Sequence, residues 1–272
     1  MCVSTGAATF SRTILYGGRR RHPRHGPIEV LGYQNTPTNL ANGPNAMLLH
    51  IPGAGLSQRN FVPVGPHDDI LTRMVDRVRP KSRAPASARL ARPGTVQVFE
   101  HDVYTIVLAS DPTLISTALS QVPPQRRPPV DPELLEFYRD VFPTHAVALC
   151  CFDNTRARRA KPLLVWYEPA DPDRIVLPAL DCHTGAVPDL DAPVRPDHWL
   201  LFGTDDAPPG WGTPVEYPST LDPGLRDFLP DTVVGVEFTG EPLPNGDFAI
   251  AYQDLLDGAL GRIERQRPAA TR

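Results

Sequence analysis

The order of apolar and polar residues along the chain predicts many short strands and few helices. Runs with the length and the β-branched and aromatic content of strands lie at 3–10, 13–16, 28–34, 46–51, 96–100, 103–109, 146–152, 163–167, 175–180, 199–202 and 233–238. Apolar residues at helical spacing lie in 66–78, after Asp111-Pro112, after Asp131-Pro132 and in 251–265. Because the strands outnumber the helices and seldom alternate with them, we predict an α+β fold of layered, mostly antiparallel β-sheet flanked by a few helices.

One stretch differs from the rest of the chain in composition. Residues 79–94 (RPKSRAPASARLARPG) carry five cations and no acidic residue, in a chain whose formal net charge is −4. Basic stretches rich in proline, alanine and serine are typical of solvated loops. We therefore predict a single domain over 1–272 that contains a loose basic linker at about 79–94.

Composition excludes several classes of function. The net charge of −4 gives no basic footprint for a nucleic acid. No apolar run approaches the roughly 18 residues that span a bilayer, and the first residues lack the plan of a signal peptide. Four cysteines in 272 residues are too few for a disulfide scaffold. We predict a cytoplasmic protein that binds neither nucleic acid nor membrane.

The second residue carries the most specific chemical signal. Cys2 follows Met1 directly, and initiator methionines are commonly removed before a residue this small. Removal would leave a thiol and an α-amine on one residue, with reference pKa values of about 8.5 and about 7.7–8.0. Near neutral pH the amine can therefore act as the base for the thiol. This pair predicts a nucleophile at Cys2, and an ordinary buried cysteine is the alternative interpretation.

The start of the chain resembles cysteine members of the N-terminal nucleophile hydrolases, such as choloylglycine hydrolases and penicillin V acylases. Those chains begin with Met-Cys and have a Gly-Arg pair at the end of the second strand, as Gly18-Arg19 is here. The resemblance covers roughly the first 20 residues. It implies that Cys2 is the nucleophile and that Arg19 is the arginine beside it. That family has an aspartate shortly after the arginine, where this chain has Arg20, Arg21 and His22.

A loop dense in asparagine follows the predicted strand 28–34. An amide hydrolase needs donors aimed at the developing oxyanion, and Asn35 and Asn45 are the candidates for this role. The polar residues Tyr33, Gln34 and Asn39 are candidates for binding a substrate at a pocket rim. The alternative is a hairpin loop that uses asparagine, glycine and proline for their backbone preferences.

Cysteines and histidines further along the chain give a weaker signal. Adjacent strand residues such as Cys150 and Cys151 point to opposite faces, so they do not have the spacing of a zinc site, and one of them is expected to face the core. His183 follows Asp181-Cys182 at a predicted strand end, where it lines either a pocket or a surface turn. We predict no metal and no cofactor.

Beyond position 25 the chain is similar to an uncharacterised family of bacterial proteins, a domain of unknown function. The similarity is carried by NAMLLHIP at 45–52, by DPELLEFYRDVFP at 131–143 and by the stretch 162–185. It spans most of residues 28–203. It implies a shared fold and names no reaction.

These features together predict hydrolysis of a carbon–nitrogen amide bond in a small molecule or a peptide. The Cys2 thiolate would attack the carbonyl carbon, and the α-amine would pass the proton to the leaving amine. An asparagine of the 35–45 loop would stabilise the oxyanion, and Arg19 would hold a carboxylate or the amine end of the site. Two alternatives remain: a non-catalytic binding or interaction module, and a redox-responsive protein that uses Cys2 or Cys182.

Overall fold

Strands dominate the fold. The computed structural model describes residues 3–79, 97–152 and 161–268. The strands in chain order are β1 (Val3–Ser4), β2 (Ala8–His22), β3 (Gly26–Asn39), β4 (Asn45–Ile51), β5 (Phe61–Val62), β6 (Gln97–His101), β7 (Tyr104–Ala109), β8 (Ala146–Phe152), β9 (Leu163–Tyr167), β10 (Arg174–Leu177), β11 (Pro193–Val194), β12 (Asp197–Thr204), β13 (Thr213–Pro214), β14 (Thr232–Thr239), β15 (Leu243–Pro244), β16 (Asp247–Ala251) and β17 (Glu264–Gln266). The helices are α1 (Ile70–Val78), α2 (Ile115–Ala118), α3 (Pro132–Val141), α4 (Pro223–Arg226) and α5 (Tyr252–Leu256).

Two large sheets form the body of the protein. The first sheet has the strand order β1-β4-β8-β7-β6, and the second has the order β13-β14-β12-β2-β3-β9-β5. A smaller third sheet has the order β10-β16-β17. Within the second sheet β12 runs parallel to β2, whereas β2, β3 and β9 pair antiparallel. The fold is therefore α+β with mostly antiparallel sheets, as the sequence predicts.

The two large sheets enclose one apolar core. Alternate residues of a strand point to opposite faces, so each strand contributes every second side chain to this core. The second sheet supplies Leu15, Leu31 and Tyr33, and the first sheet supplies Met47 and Leu49, all almost completely buried.

Helices cover the outer faces of both sheets. The intervening residues of the same strands, such as Tyr16 and Leu48, point outward and would be exposed without a cover. Helix α1 packs on the second sheet through Ile70 and Met74. Helices α2 and α3 pack on the first sheet. The result is a four-layer order of helix, sheet, sheet and helix, in which each layer buries its apolar face against the next.

The adjacent cysteines illustrate this alternation. Cys150 lies in the core between the sheets, and Cys151 lies under the helices on the outer face of the first sheet. Both are buried, and burial raises the pKa of the Cys151 thiol to about 12. The prediction that one of them faces the core is confirmed. Both are in fact inside, because this strand is covered on its two faces.

Strand β2 is longer than the sequence predicts. The sequence predicts a strand that ends at residue 16, before Gly17-Gly18, but β2 continues to His22. The glycines serve close packing instead: a Cβ built on Gly17 would lie 2.8 Å from Ile175 Cγ2, and one on Gly18 would lie 2.1 Å from the Tyr16 hydroxyl. Gly17 marks a close approach of β10 to β2, and Gly18 leaves room for the Tyr16 side chain of its own strand. In the sequence, a glycine pair that serves packing looks the same as one that reverses the chain.

Three further predicted boundaries are wrong. The asparagine loop was expected to begin at residue 35, but β3 runs to Asn39, so half of that loop is strand. The last helix was predicted over 251–265; α5 covers only Tyr252–Leu256. It ends because Gly258 adopts a φ of +70°, and β17 follows. The predicted helix 66–78 begins at Ile70.

Other predictions hold closely. Strand β8 matches the predicted run 146–152, and the hairpin of β6 and β7 turns at Asp102, which has a φ of +57°. Asp111 and Asp131 each accept a hydrogen bond from the backbone N–H two residues ahead, as expected of N-cap aspartates. Apart from Arg79, the predicted linker at 79–94 lies outside the described residues. None of the helices within the described ranges is long and apolar enough to cross a lipid bilayer.

Candidate functional site

Three segments meet where the chain enters the first sheet. We call residues 4–8, 39–45 and 182–187 together the N-terminal corner. Val3 pairs with Leu48 on one side and forms a parallel bridge with Cys182 on the other. Cys2 itself lies outside the described residues. The residue that follows it is fully buried and is held between two other segments of the chain.

Backbone hydrogen bonds join the segments of the corner. Ser4 N–H donates to the Cys182 carbonyl at 2.9 Å, and Ala8 N–H donates to the His183 carbonyl at 3.1 Å. The Leu40 N–H donates to the Ala7 carbonyl at 2.9 Å. These bonds involve main-chain groups, so the position of the segments is fixed without using the side chains at the surface.

Asn45 holds the corner together from within. Its Nδ2 lies 3.2 Å from the Gly6 carbonyl, 3.1 Å from the Ala7 carbonyl and 2.9 Å from Asn39 Oδ1. Its Oδ1 accepts from the Thr5 hydroxyl at 3.1 Å. The side chain is completely buried. An oxyanion would have to displace one of these acceptors to reach the two amide protons.

Asn39 and His183 are also part of the corner. Asn39 Nδ2 donates to the Gly43 carbonyl at 2.6 Å, and its Oδ1 accepts from the Ala41 N–H at 2.9 Å, which closes the turn after β3. His183 Nε2 lies 2.8 Å from Asp181 Oδ1. The His183 ring packs on Phe10 with ring centroids 5.0 Å apart. The structure therefore brings Asn39, Asn45 and His183 together, as residues that shape one surface.

The remaining polar candidates on β3 lie further along the strand. Tyr33 points into the core between the sheets, and its hydroxyl accepts from Asn35 Nδ2 at 2.9 Å. Gln34 Nε2 donates to the Asp68 carbonyl at 3.3 Å. Asn35 and Tyr33 are buried, so neither contributes to a rim around the corner.

Arg19 lies at the opposite end of the β2–β3 hairpin. Ala8 pairs with Asn39 and Arg19 pairs with Glu29, so eleven strand residues, roughly 36 Å, separate the two ends. The Arg19 guanidinium forms an ion pair with Glu29 and donates to the backbone carbonyls of 171, 172 and 174. It lies 4.1 Å from the centre of the Tyr252 ring. The structure does not bring Arg19 together with the asparagines.

A cluster that the sequence interpretation missed lies at this same pole. His50 Nε2 is 2.9 Å from Asp247 Oδ2, and the Ala179 N–H donates to Asp247 Oδ1 at 2.8 Å. Both side chains are buried. Although burial opposes ionisation, the His50 contact leaves the pKa of Asp247 below its usual value. His145 lies 5.6 Å from His50, ring to ring.

The His50–Asp247 pair adjoins a cavity of about 350 Å³. Its walls include Glu29, Arg174, Asp247 and His145. Burial lowers the pKa of His145 to about 4, so its imidazole is neutral at pH 7. The one available signal in the sequence was His50, a histidine inside the apolar run of β4; its partner is 197 residues away and no spacing connects them. Within the described ranges, no group of three or more His, Cys, Asp or Glu side chains is arranged to hold a metal ion.

Exposed apolar side chains distinguish the N-terminal corner from the cavity. Leu40 is 60% exposed and Val187 is 36% exposed, two of the three large hydrophobic residues that stand out among those described. Leu40 lies on the second segment of the corner and Val187 on the third.

The contacts of Asn45 predict a loss of stability on its removal. Asn45→Ala removes one of the two donors from each of the Gly6 and Ala7 carbonyls and takes away the acceptor of the buried Thr5 hydroxyl. We expect the free energy of unfolding to fall by about 2 kcal/mol. Urea unfolding followed by circular dichroism measures this loss. The neighbouring Asn42 is exposed, and Asn42→Ala should change the value by less than about 0.5 kcal/mol. Equal values for the two variants would contradict the structural role of Asn45.

Comparisons with known proteins place the chain in no family. No family model matches it, and no curated protein sequence matches it. Among solved structures it is similar to baculovirus P35, with 15% identity and a TM-score of 0.42 over 74% of this chain and 67% of P35. P35 in the caspase-8/P35 complex gives 14% identity and a TM-score of 0.42 over 71% of this chain and 63% of that one. A mutated P35 after caspase cleavage gives 15% identity and a TM-score of 0.41. At these values the likeness is distant.

Proposed function

We propose that this chain binds a peptide or protein partner at the N-terminal corner, with Cys2 as the reactive group of that surface. One observation carries the proposal: the strand that follows Cys2 is fixed on both of its sides, while Leu40 and Val187 remain exposed on the adjacent segments. A rigid base with apolar side chains at its surface favours association, because little conformational freedom is lost on binding. The reduced thiol that this role needs is consistent with the predicted cytoplasmic location.

Binding accounts for the side chains of the corner better than turnover does. Efficient amide hydrolysis uses hydrogen-bond donors that are free and aimed at the oxyanion. The two amide protons of Asn45 already face three acceptors, and Asn39 closes its own turn. Arg19 is roughly 36 Å away along the hairpin and cannot contact a substrate held at the corner.

The amide hydrolase remains the second candidate, and the sequence of the first two residues favours it. A mature chain that begins at Cys2 carries its own base beside its thiol. The thiolate would attack an amide carbonyl, the amine would leave with the transferred proton, and water would release the acyl group. The hydrolase requires removal of Met1, which intact-mass measurement on the purified protein determines.

Two peptidases serve as the first probes of the binding proposal. Caspase-8 is used because it is the partner of P35 in their complex. An arginine-specific cysteine peptidase is used because residues 79–94 are the most basic stretch and were predicted to be a solvated loop, the kind of segment that peptidases engage. Wild-type protein, Cys2→Ser and Cys182→Ser are each mixed with the probes, and complexes are measured by size-exclusion chromatography and intact mass.

We expect a stable complex with at least one probe for wild type and for Cys182→Ser, and a complex weaker by about tenfold or more for Cys2→Ser. The paired variant Leu40→Asp/Val187→Asp should weaken it as well, because charges replace the apolar contacts. Cys2-dependent, catalytic release of amine from small amides, with no complex on either probe, would contradict binding and support the hydrolase. A complex unaffected by the Leu40 and Val187 changes would place the interface elsewhere.

A further inference from the structure

The outer edge of β14 is only partly paired. On its inner side β12 pairs with β14 from Val234 to Thr239. On its outer side β13 pairs with Thr232 and Val233 alone. No other described strand pairs with β14, so residues 234–239 have a strand neighbour on one side only.

Hydrogen bonds at the two ends of β14 show which way its backbone groups point. At the start, the Val215 N–H donates to the Asp231 carbonyl at 2.9 Å, on the β13 side. At the other end, the Gly240 N–H donates to the Pro196 carbonyl at 3.4 Å, on the β12 side. Backbone direction alternates along a strand, so odd-numbered residues of β14 point their N–H and C=O groups toward β13 and even-numbered residues toward β12.

The outward backbone groups beyond β13 belong to Gly235 and Glu237. Together they place two N–H and two C=O groups on the open edge, which is the template that a further strand needs. Val234, Val236 and Phe238 alternate with them and are only partly buried on the core face of the sheet. These β-branched and aromatic residues favour the extended conformation, so this edge is suited to pairing with another strand.

The segment 234–238 (VGVEF) is complementary to itself. In an antiparallel pair of two copies with a two-fold axis at Val236, Val234 lies opposite the partner's Phe238. In the same register Gly235 lies opposite the partner's Glu237, so the outward backbone groups meet as a hydrogen-bonded pair. An aromatic side chain opposite a β-branched one is a favourable cross-strand contact. The register that aligns the backbone groups therefore also aligns the side chains.

The charges at this edge also allow a second copy to approach. Glu237 is the one acidic residue in 234–238, and its carboxylate lies 3.9 Å from the Arg79 guanidinium. Arg79 in turn lies over the Trp199 ring, 5.0 Å from its centre. In the self-paired register each Glu237 has a glycine opposite it, so two carboxylates are not placed directly across from each other. Each copy also brings its own cation to the junction.

We propose that this chain forms a symmetric dimer by antiparallel pairing of β14 with β14 of a second copy. Gly235 and the partner's Glu237 exchange backbone hydrogen bonds, and the two-fold axis repeats this pair. The two seven-stranded sheets then join into one continuous sheet. Because both copies use the same edge, the association closes at two chains.

A disulfide at the two-fold axis tests the register. In the background Cys2→Ser/Cys182→Ser, Val236→Cys places two thiols on a non-hydrogen-bonded pair, with Cα atoms about 4.5 Å apart, within the range of disulfides. We expect mild oxidation to give a covalent dimer on a non-reducing gel. Val234→Cys is the matched control on the same face. Its two copies lie four strand residues apart, roughly 13 Å, and should stay uncrosslinked.

Backbone substitution tests the hydrogen bonds. Wild type at about 100 µM should have twice the 29.8 kDa mass of the chain by light scattering, and should dissociate on dilution with a Kd of about 10 µM. Glu237→Pro removes an outward N–H without removing a bond to β12, and it should weaken the dimer about tenfold or more. Glu237→Gln removes the same charge, keeps the N–H and should dimerise like wild type. Circular dichroism establishes that each variant is folded.

Several results would overturn the proposal. They are a monomer at about 100 µM, equal Kd values for Glu237→Pro and Glu237→Gln, and cross-linking of Val234→Cys as readily as Val236→Cys. If Glu237→Pro does not fold, the cross-linking pair still decides the outcome. Leu40→Asp/Val187→Asp should dimerise like wild type, because the N-terminal corner is no part of this edge. Loss of the dimer in that variant would place the contact at the corner and contradict pairing through β14.

Discussion

Replacing Arg19 by alanine is expected to lower the free energy of unfolding by about 3–5 kcal/mol. The Arg19 side chain is 11% exposed, and its guanidinium pairs with Glu29 and donates to the backbone carbonyls of 171, 172 and 174. Its removal leaves the Glu29 carboxylate buried without its cation, and burial already raises the pKa of that group. Urea unfolding at pH 7 measures the loss.

Neighbouring positions provide matched controls for Arg19. Arg21 on the same strand is 73% exposed and pairs with Asp206, so Arg21→Ala should cost less than about 1 kcal/mol. Arg19→Lys keeps the charge but lacks the planar guanidinium that reaches several acceptors. Its free energy of unfolding should lie between those of wild type and Arg19→Ala. If Arg19→Ala unfolded like wild type and instead abolished an amidase activity, the catalytic role predicted from the sequence would be supported.

Acidification from pH 7 to pH 5 is expected to destabilise the protein by about 4 kcal/mol through two histidines. Burial lowers the pKa of His101 and of His145 to about 4. In the unfolded chain the pKa of histidine is about 6.5. Between these two pKa values the unfolded state binds protons that the folded state does not. The contribution of the two histidines to stability is therefore fully present above about pH 6.5 and is lost as the pH falls toward about 4. Each histidine contributes about 2 kcal/mol at pH 5.

The double variant His101→Gln/His145→Gln tests this origin of acid sensitivity. Between pH 7 and pH 5, its free energy of unfolding should fall by about 4 kcal/mol less than that of wild type. The measurement is a series of urea titrations at half-unit pH steps. The pH dependence of stability that remains in the variant comes from other groups, including His22 and His198, whose pKa values burial also lowers. Identical slopes for the variant and wild type would show that neither histidine is responsible.

The sequence predicts those elements whose signal is local. Strand β8 is recognised from an unbroken apolar run, because it is buried on both faces. The N-cap at Asp131 is recognised because the cap and the helix are adjacent in the chain. By contrast, Gly17-Gly18 looks like a chain reversal, and only the approach of Ile175 explains why glycine stands inside a strand.

The candidate site depends on contacts that no local pattern contains. Asn45 was recognised as polar and close to a turn, but its partners at Gly6 and Ala7 lie 39 and 38 residues earlier in the chain, before the first strand of the long β2–β3 hairpin. The pairing of His50 with Asp247 joins residues 197 apart. Arg19 was chosen on its position after a glycine, and its actual acceptors lie near residue 172. Spacing in the sequence suggests which residues are candidates for a site, but it does not determine which of them are in contact in the folded protein.

The parallel pairing of β2 with β12 also affects how the chain folds during its synthesis. Thr13 aligns with His198, so one long edge of the first hairpin has no neighbour until about 185 further residues have left the ribosome. An unpaired edge of that length invites association with other chains. A fragment that stops before residue 197 lacks β12 and leaves this edge of β2 unpaired, so we expect such a fragment to aggregate more readily than the full chain.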